Sequence, residues 1–298
     1  MIALAIGCPV SLCFGSEQLE LSAELDAPEY VVGQPVMVLL SATNVGQIPI
    51  EDVGPLEPSY GRLKLELFRA GEREPLPDYG DLITVFFSQQ GLTLRPGQEA
   101  CEMVDLLDHF GTWPPEIDWL GPVLWQRSLQ PGEYSLQCSF RAHTGVRKGL
   151  SPLAVHSKAV TFCVLPESAA LPHLQKLDRL KRSSVWQRNN VSPEQAQACR
   201  AQLPDLLGSP YFLKVFKCAS FGLNDDELAE MVANLRKVSP SWSPALVWSV
   251  GARPVHTVEE RKRQLASLGA LPSQSMEKRI ADSWRLRLEQ GLYFYRGR

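Results

Sequence analysis

The spacing of apolar residues changes once along this chain, and that change constrains the fold more than any other feature. Up to Leu165 the apolar residues alternate or cluster in short runs broken by Gly, Pro and Asn. After Glu167 they recur every three or four residues. A period of two buries one face of a strand, and a period near 3.6 buries one stripe of a helix. The chain therefore predicts a two-domain protein, an all-β half followed by an all-α half, with the boundary at Pro166. Its 298 residues, 44% of them hydrophobic, suffice for two cores of ordinary size. A disordered chain, a collagen-like chain and a disulfide miniprotein are excluded.

Charge divides at the same place. Residues 1–166 carry 10 Lys and Arg against 20 Asp and Glu, a net charge of −10. Residues 167–298 carry 20 against 13, a net charge of +7. The near-neutral total of −3 is thus a cancellation. Three readings fit: the halves attract each other, the basic half faces an anionic partner, or both are solvated surfaces with no joint purpose. A cut between Pro166 and Pro172 is expected to release two folded pieces of opposite charge.

Residues 1–16 begin with fifteen uncharged positions, MIALAIGCPVSLCFG. That run is short for a bilayer span of ~20 residues. It resembles the apolar core and small-residue end of a secretory signal, although no Lys or Arg precedes it. Cleavage after Gly15 fits this reading, as does lipidation of Cys8; a first core strand is opposed by Gly7, Pro9 and Gly15. Export to the periplasm or cell envelope is the expectation, with a cytoplasmic location if the segment is not a signal. Beyond it lie five cysteines, Cys101, Cys138, Cys163, Cys199 and Cys218, with no Cys-x-x-Cys pair. Cys138 and Cys163 fall in neighbouring strand-like segments, which suggests either a cross-strand disulfide or two buried thiols.

Within residues 17–166, Leu63, Leu65 and Leu67 alternate with Lys64, Glu66 and Phe68. Tyr134, Leu136, Cys138 and Phe140 share one face of another strand. Turns are marked by Thr43-Asn44-Val45-Gly46, Leu94-Arg95-Pro96-Gly97 and Leu129-Gln130-Pro131-Gly132-Glu133-Tyr134. Together with Tyr30…Gly33-Gln34-Pro35-Val36, these elements resemble bacterial extracytoplasmic immunoglobulin-like domains. The resemblance implies an antiparallel β-sandwich over roughly Leu19–Pro166, of the kind that lacks the Cys–Trp–Cys core.

Residues 167–298 announce helices through their caps. Ser192-Pro193-Glu194-Gln195, Asn224-Asp225-Asp226-Glu227 and Thr257-Val258-Glu259-Glu260 are N-terminal capping patterns. Leu228, Met231, Val232 and Leu235 form one apolar stripe, and Met276, Ile280, Trp284 and Leu288 another. The segments Gly208-Ser209-Pro210-Tyr211-Phe212-Leu213 and Trp242-Ser243-Pro244-Ala245-Leu246-Val247 echo each other 34 residues apart. This period is similar to that of tetratricopeptide repeats over roughly Leu203–Gly251, and implies helical hairpins with a concave binding face.

No nucleophile elbow, phosphate loop, dinucleotide fingerprint or His-Glu-x-x-His is present, and no motif asks for a cofactor or metal. The densest polar run is Asp105-Leu106-Leu107-Asp108-His109, where an acid and an imidazole lie side by side. The segment Phe110–Trp125 gathers Trp113, Trp119 and Trp125, candidates for stacking on a glycan or anchoring a protein. Basic clusters occur at Lys176, Arg179, Lys181 and Arg182, and at Arg261, Lys262 and Arg263. For an exported chain these suit an anionic envelope surface better than nucleic acid. The expected function is a non-enzymatic binding or assembly protein acting through protein or glycan surfaces. The alternatives are an enzyme or accessory with a site at the junction of the halves, built on Asp105, Asp108 and His109, and an immunoglobulin-like proteinase inhibitor.

Overall fold

The computed structural model describes residues 18–54, 56, 58, 62–79, 91–111, 128–142, 153–166, 168–169, 172–173, 191–238, 240–252 and 257–292. Among the described residues the strands all precede the α-helices. The strands are β1 (Leu19–Leu25), β2 (Glu29–Val31), β3 (Met37–Asn44), β4 (Ile50–Val53), β5 (Leu63–Arg69), β6 (Leu92–Leu94), β7 (Glu99–Asp105), β8 (Gly132–Ala142), β9 (Leu153–His156) and β10 (Val160–Leu165). A three-stranded antiparallel sheet has the order β1-β3-β7. A second sheet runs β2-β10-β8-β5, with β9 beside β8 and β2 parallel to β10. A small third sheet pairs β4 with β6. One apolar core lies between the sheets and includes Leu21, Val38, Leu40, Ala42, Leu65, Leu136 and Phe140.

Among the described residues the longer helices that follow are α1 (Pro193–Gln202), α2 (Phe212–Ala219), α3 (Asp225–Val238), α4 (Ser243–Gly251), α5 (Val258–Ser267) and α6 (Met276–Glu289). Each odd-numbered helix starts on a reciprocal capping box, at Ser192, Asn224 and Thr257. These boxes recur at intervals of 32 and 33 residues. The helices pack as hairpins α1–α2, α3–α4 and α5–α6, and the last two hairpins stack α3 on α5 and α4 on α6. The Ser-Pro echo thus marks the second helix of a hairpin, and the turn at Gly222 separates hairpins. Helix α4 is buried on most sides, which is why its sequence shows no polar face. Gly251 at its end lies so close to the Trp284 indole that an added Cβ would collide with its Nε1.

The two regions pack against each other along β3 and β7. Strand β3 is buried on both faces. Val38, Leu40 and Ala42 enter the core between the sheets, whereas Met37 and Leu39, with Cys101 and Met103 of β7, enter the core of the helices. Burying each large apolar side chain there contributes about 1.5–3 kcal/mol.

Helix α6 lies along β7. Its apolar stripe meets the other helices, and its next stripe, Arg279, Ser283, Arg287 and Gln290, meets the sheets. Arg279 bridges all three strands of the first sheet, reaching Glu24 at 2.6 Å, Ser41 at 3.2 Å and Glu99 at 2.8 Å. Burial raises the Glu99 carboxyl, but the bonds from Arg279 and Ser41 outweigh it and hold the group below its ordinary range. Ser283 Oγ accepts from Cys101 N–H at 2.8 Å and donates to its carbonyl at 3.1 Å. Arg287 donates to the same carbonyl and to Glu102 at 2.6 Å, both ionic side chains being buried.

Removing one member of a buried ion pair strands the other, which costs about 3–5 kcal/mol. Arg287→Met is therefore expected to lose stability of that order in urea unfolding, and Arg287→Met with Glu102→Leu to recover most of it. A chain nicked between Pro166 and Val191 should elute as one particle in size-exclusion chromatography at low and at high salt. The contact that holds the pieces is apolar as well as ionic.

Candidate functional site

Asp105, Asp108 and His109 occupy the end of β7 and the single 3-10 turn after it, at the junction with the helices. Asp105 caps that turn. Its Oδ1 accepts from Val36 N–H at 3.2 Å and Leu107 N–H at 3.1 Å, and its Oδ2 meets Lys217 Nζ of α2 at 3.5 Å. These bonds tie β3, the turn and α2 together. Asp108 is exposed. The His109 ring turns to Asp78, with Nδ1 3.2 Å from Oδ1. Asp105 and Asp108 both face the Lys214 and Lys217 amines of α2, whereas His109 meets Asp78.

Two further titratable groups adjoin the junction. Asp26 accepts a 2.6 Å bond from the Tyr30 hydroxyl, and burial raises its carboxyl to about 6 despite that bond. Lys214 of α2 is buried, and burial lowers its amine to about 7, against the opposing field of Asp105. Sequence reasoning passes over Lys214 because a lysine in a helical pattern ordinarily reads as surface.

Of the candidate basic positions, Arg261 is corrected. It is 2% exposed and donates to the Gly251 carbonyl and to Gln264, with its guanidinium 4.9 Å from the centre of the Trp284 ring. It closes the end of α4 and is not part of a surface patch with Lys262 and Arg263. Those two are exposed, and Lys262 pairs with Glu259. Trp113, Trp119, Trp125, Lys176, Arg179, Lys181 and Arg182 lie outside the described residues. Cys138 and Cys163 do not form a cross-strand pair. Cys163 stands opposite Glu133, five positions from Cys138 along β8, so the two side chains leave opposite faces of the sheet.

On the outer face of the second sheet a groove of about 800 Å³ crosses four strands. Register builds it in rows. Glu29, Cys163 and Glu133 align across β2, β10 and β8, and Thr161, Ser135 and Phe68 align across β10, β8 and β5. Small side chains in the middle leave the hollow, and Arg69 and Glu72 close one end. Phe68 is half-buried on this outward face. Its place in the polar phase of an alternating strand was the one sequence signal for the groove. Neither Asp105, Asp108 nor His109 lines it.

No family model and no curated protein matches the chain. Among solved structures, the chain is similar to Spo0M, the sporulation control protein of Bacillus subtilis, with a TM-score of 0.27 and 13% identity over 55% of this chain and 56% of that one. It is also similar to a Salmonella alpha-2-macroglobulin mutant, with a TM-score of 0.24 and 14% identity over 93% of this chain and 18% of that one. The chain therefore spans a little over half of the first relative and under a fifth of the second. Scores this low carry no argument about fold or function.

The buried Lys214 has a measurable consequence. Its folded amine titrates near 7 and its unfolded amine near 10.5, so between these values the unfolded chain binds the extra proton. Stability contributed by this group therefore rises with pH across that window. Lys214→Met is expected to remove the rise and to be more stable than the parent at pH 6–7, as read from urea midpoints at several pH values.

Proposed function

We propose that the chain is a non-enzymatic binding or assembly protein of the cell envelope, and that the groove on the second sheet is its docking surface. The groove carries this reading. Its side along β5 offers Phe68 beside a floor of small residues, and its other margins offer Glu29, Glu72 and Glu133. An aromatic anchor ringed by carboxylates suits an extended segment of a protein partner with lysine or arginine side chains. Export is supported by the uncharged, apolar run of residues 1–15.

In this proposal the β region is an immunoglobulin-like sandwich. The strand orders β1-β3-β7 and β2-β10-β8-β5 support it, as does the parallel pairing of β2 with β10. The Tyr134 hydroxyl donates back to the Gln130 carbonyl at 2.7 Å, as the corner tyrosine of such sandwiches does. The three hairpins, recurring every 32 or 33 residues, support a short helical repeat related to the tetratricopeptide kind. The repeat stiffens the face of the first sheet and leaves the second sheet open.

Affinity capture of the mature chain's partner from its native envelope, followed by titration calorimetry with the purified partner, tests the proposal. Phe68→Ala with Glu133→Lys should weaken binding at least tenfold without lowering the melting temperature by more than a few degrees. Unchanged affinity in that variant overturns the groove. Loss of binding in Trp113→Ala, Trp119→Ala, Trp125→Ala instead would move the docking surface to that segment.

A further inference from the structure

One pair of nucleophilic side chains takes part in neither the groove nor the junction. Cys199 lies on α1 and Cys218 on α2, the two arms of the first hairpin. The Cys199 S–H donates to Cys218 Sγ across 2.9 Å. Both thiols are buried in the helical core, Cys199 completely and Cys218 with 5% exposure. A disulfide needs its sulfurs about 2.05 Å apart, so closing this pair takes a movement of about 0.9 Å. The other described cysteines are placed differently. Cys138 and Cys163 leave opposite faces of their sheet, and Cys101 stands on β7 beneath Ser283.

We infer that Cys199 and Cys218 are a disulfide-forming pair, oxidised to a cystine that ties α1 to α2 when the chain meets a disulfide-bearing oxidant. The exchange has two steps. Cys218 gives up its proton, and its thiolate attacks one sulfur of the oxidant's disulfide, a small-molecule disulfide or a thiol–disulfide oxidoreductase. A mixed disulfide forms and the oxidant's other sulfur leaves as a thiolate. Cys199 then loses its proton and attacks the Cys218 sulfur, expelling the second oxidant thiolate. The chain loses two electrons and two protons, and the oxidant leaves as two thiols.

The surroundings set the order of attack. The hydrogen bond from Cys199 and the charge of Arg200 hold the Cys218 thiol below its ordinary range, whereas the same bond and burial raise Cys199. Arg200 is anchored beside them by bonds to the Ala219 and Phe221 carbonyls. Cys218 is thus the first nucleophile and Cys199 the resolving thiol. The inference concerns the first hairpin alone and stands whether or not the groove binds a partner.

The test uses the full chain, reduced and then equilibrated in oxidised glutathione, both folded and during refolding from urea. Alkylation and peptide mapping should find a Cys199–Cys218 cystine with the loss of about 2 Da that two departing hydrogens require. Closing this loop should raise the melting temperature by roughly 5–10 °C. Cys199→Ser and Cys218→Ser should each abolish the cystine and the shift, and Cys138→Ser should keep both. In a brief exposure to glutathione, Cys199→Ser should still form the mixed disulfide, and Cys218→Ser should form it more slowly. Alkylation of both thiols after refolding in oxidised glutathione overturns the inference, as does a cystine mapped to any other pair.

Discussion

Strand β7 ends its sheet, and an uncovered sheet edge presents unpaired N–H and C=O groups that invite other chains. Helix α6 closes this one with side chains. A single hydroxyl, Ser283 Oγ, serves both the N–H and the carbonyl of Cys101. About two helical turns further on, Gln290 does the same for Thr93 of β6, with both bonds at 2.7 Å. The amide and the hydroxyl together imitate a further strand. Around them Arg279 meets Glu24 and Glu99, and Arg287 brings the cation that the buried Glu102 needs. If α6 were displaced, Glu102 would be a buried charge without its guanidinium and β7 an open edge.

That docking explains why β3 reads as a continuous apolar run, where an alternating strand would face water on one side. It belongs to two cores, one on each face. It also explains where much of the charge asymmetry goes. Arg279 and Arg287 of α6 and Lys217 of α2 meet Glu24, Glu99, Glu102 and Asp105 of the strands. The two halves attract each other across their shared face, and the groove on the opposite sheet keeps its own carboxylates exposed.

Much of the local structure was legible in the residues. Alternation at Leu63–Phe68 and Tyr134–Phe140 marked strands β5 and β8, and capping boxes at Ser192, Asn224 and Thr257 marked helix starts. Such signals act over a few residues and survive any tertiary arrangement. The candidate sites were less legible. Asp105 and His109 are neighbours in the chain, yet their partners are Val36 and Lys217 for one and Asp78 for the other. Arg261 sits in a run of three cations, yet burial against Trp284 removes it from the surface. Arg279, Ser283 and Arg287 repeat every four residues, but a polar stripe on a helix ordinarily faces water.

The sequence by itself determined the order of elements, the place where period and charge change together, and the caps and turns that bound each element. Only the tertiary structure decided that the helices share a core with the first sheet. It alone brought Cys199 to Cys218, separated Cys138 from Cys163, and joined Ser283 to Cys101 across 182 residues. The physical reason is that propensity and capping are local free energies written in neighbouring residues. Which distant polar group satisfies which buried one depends on how whole layers pack.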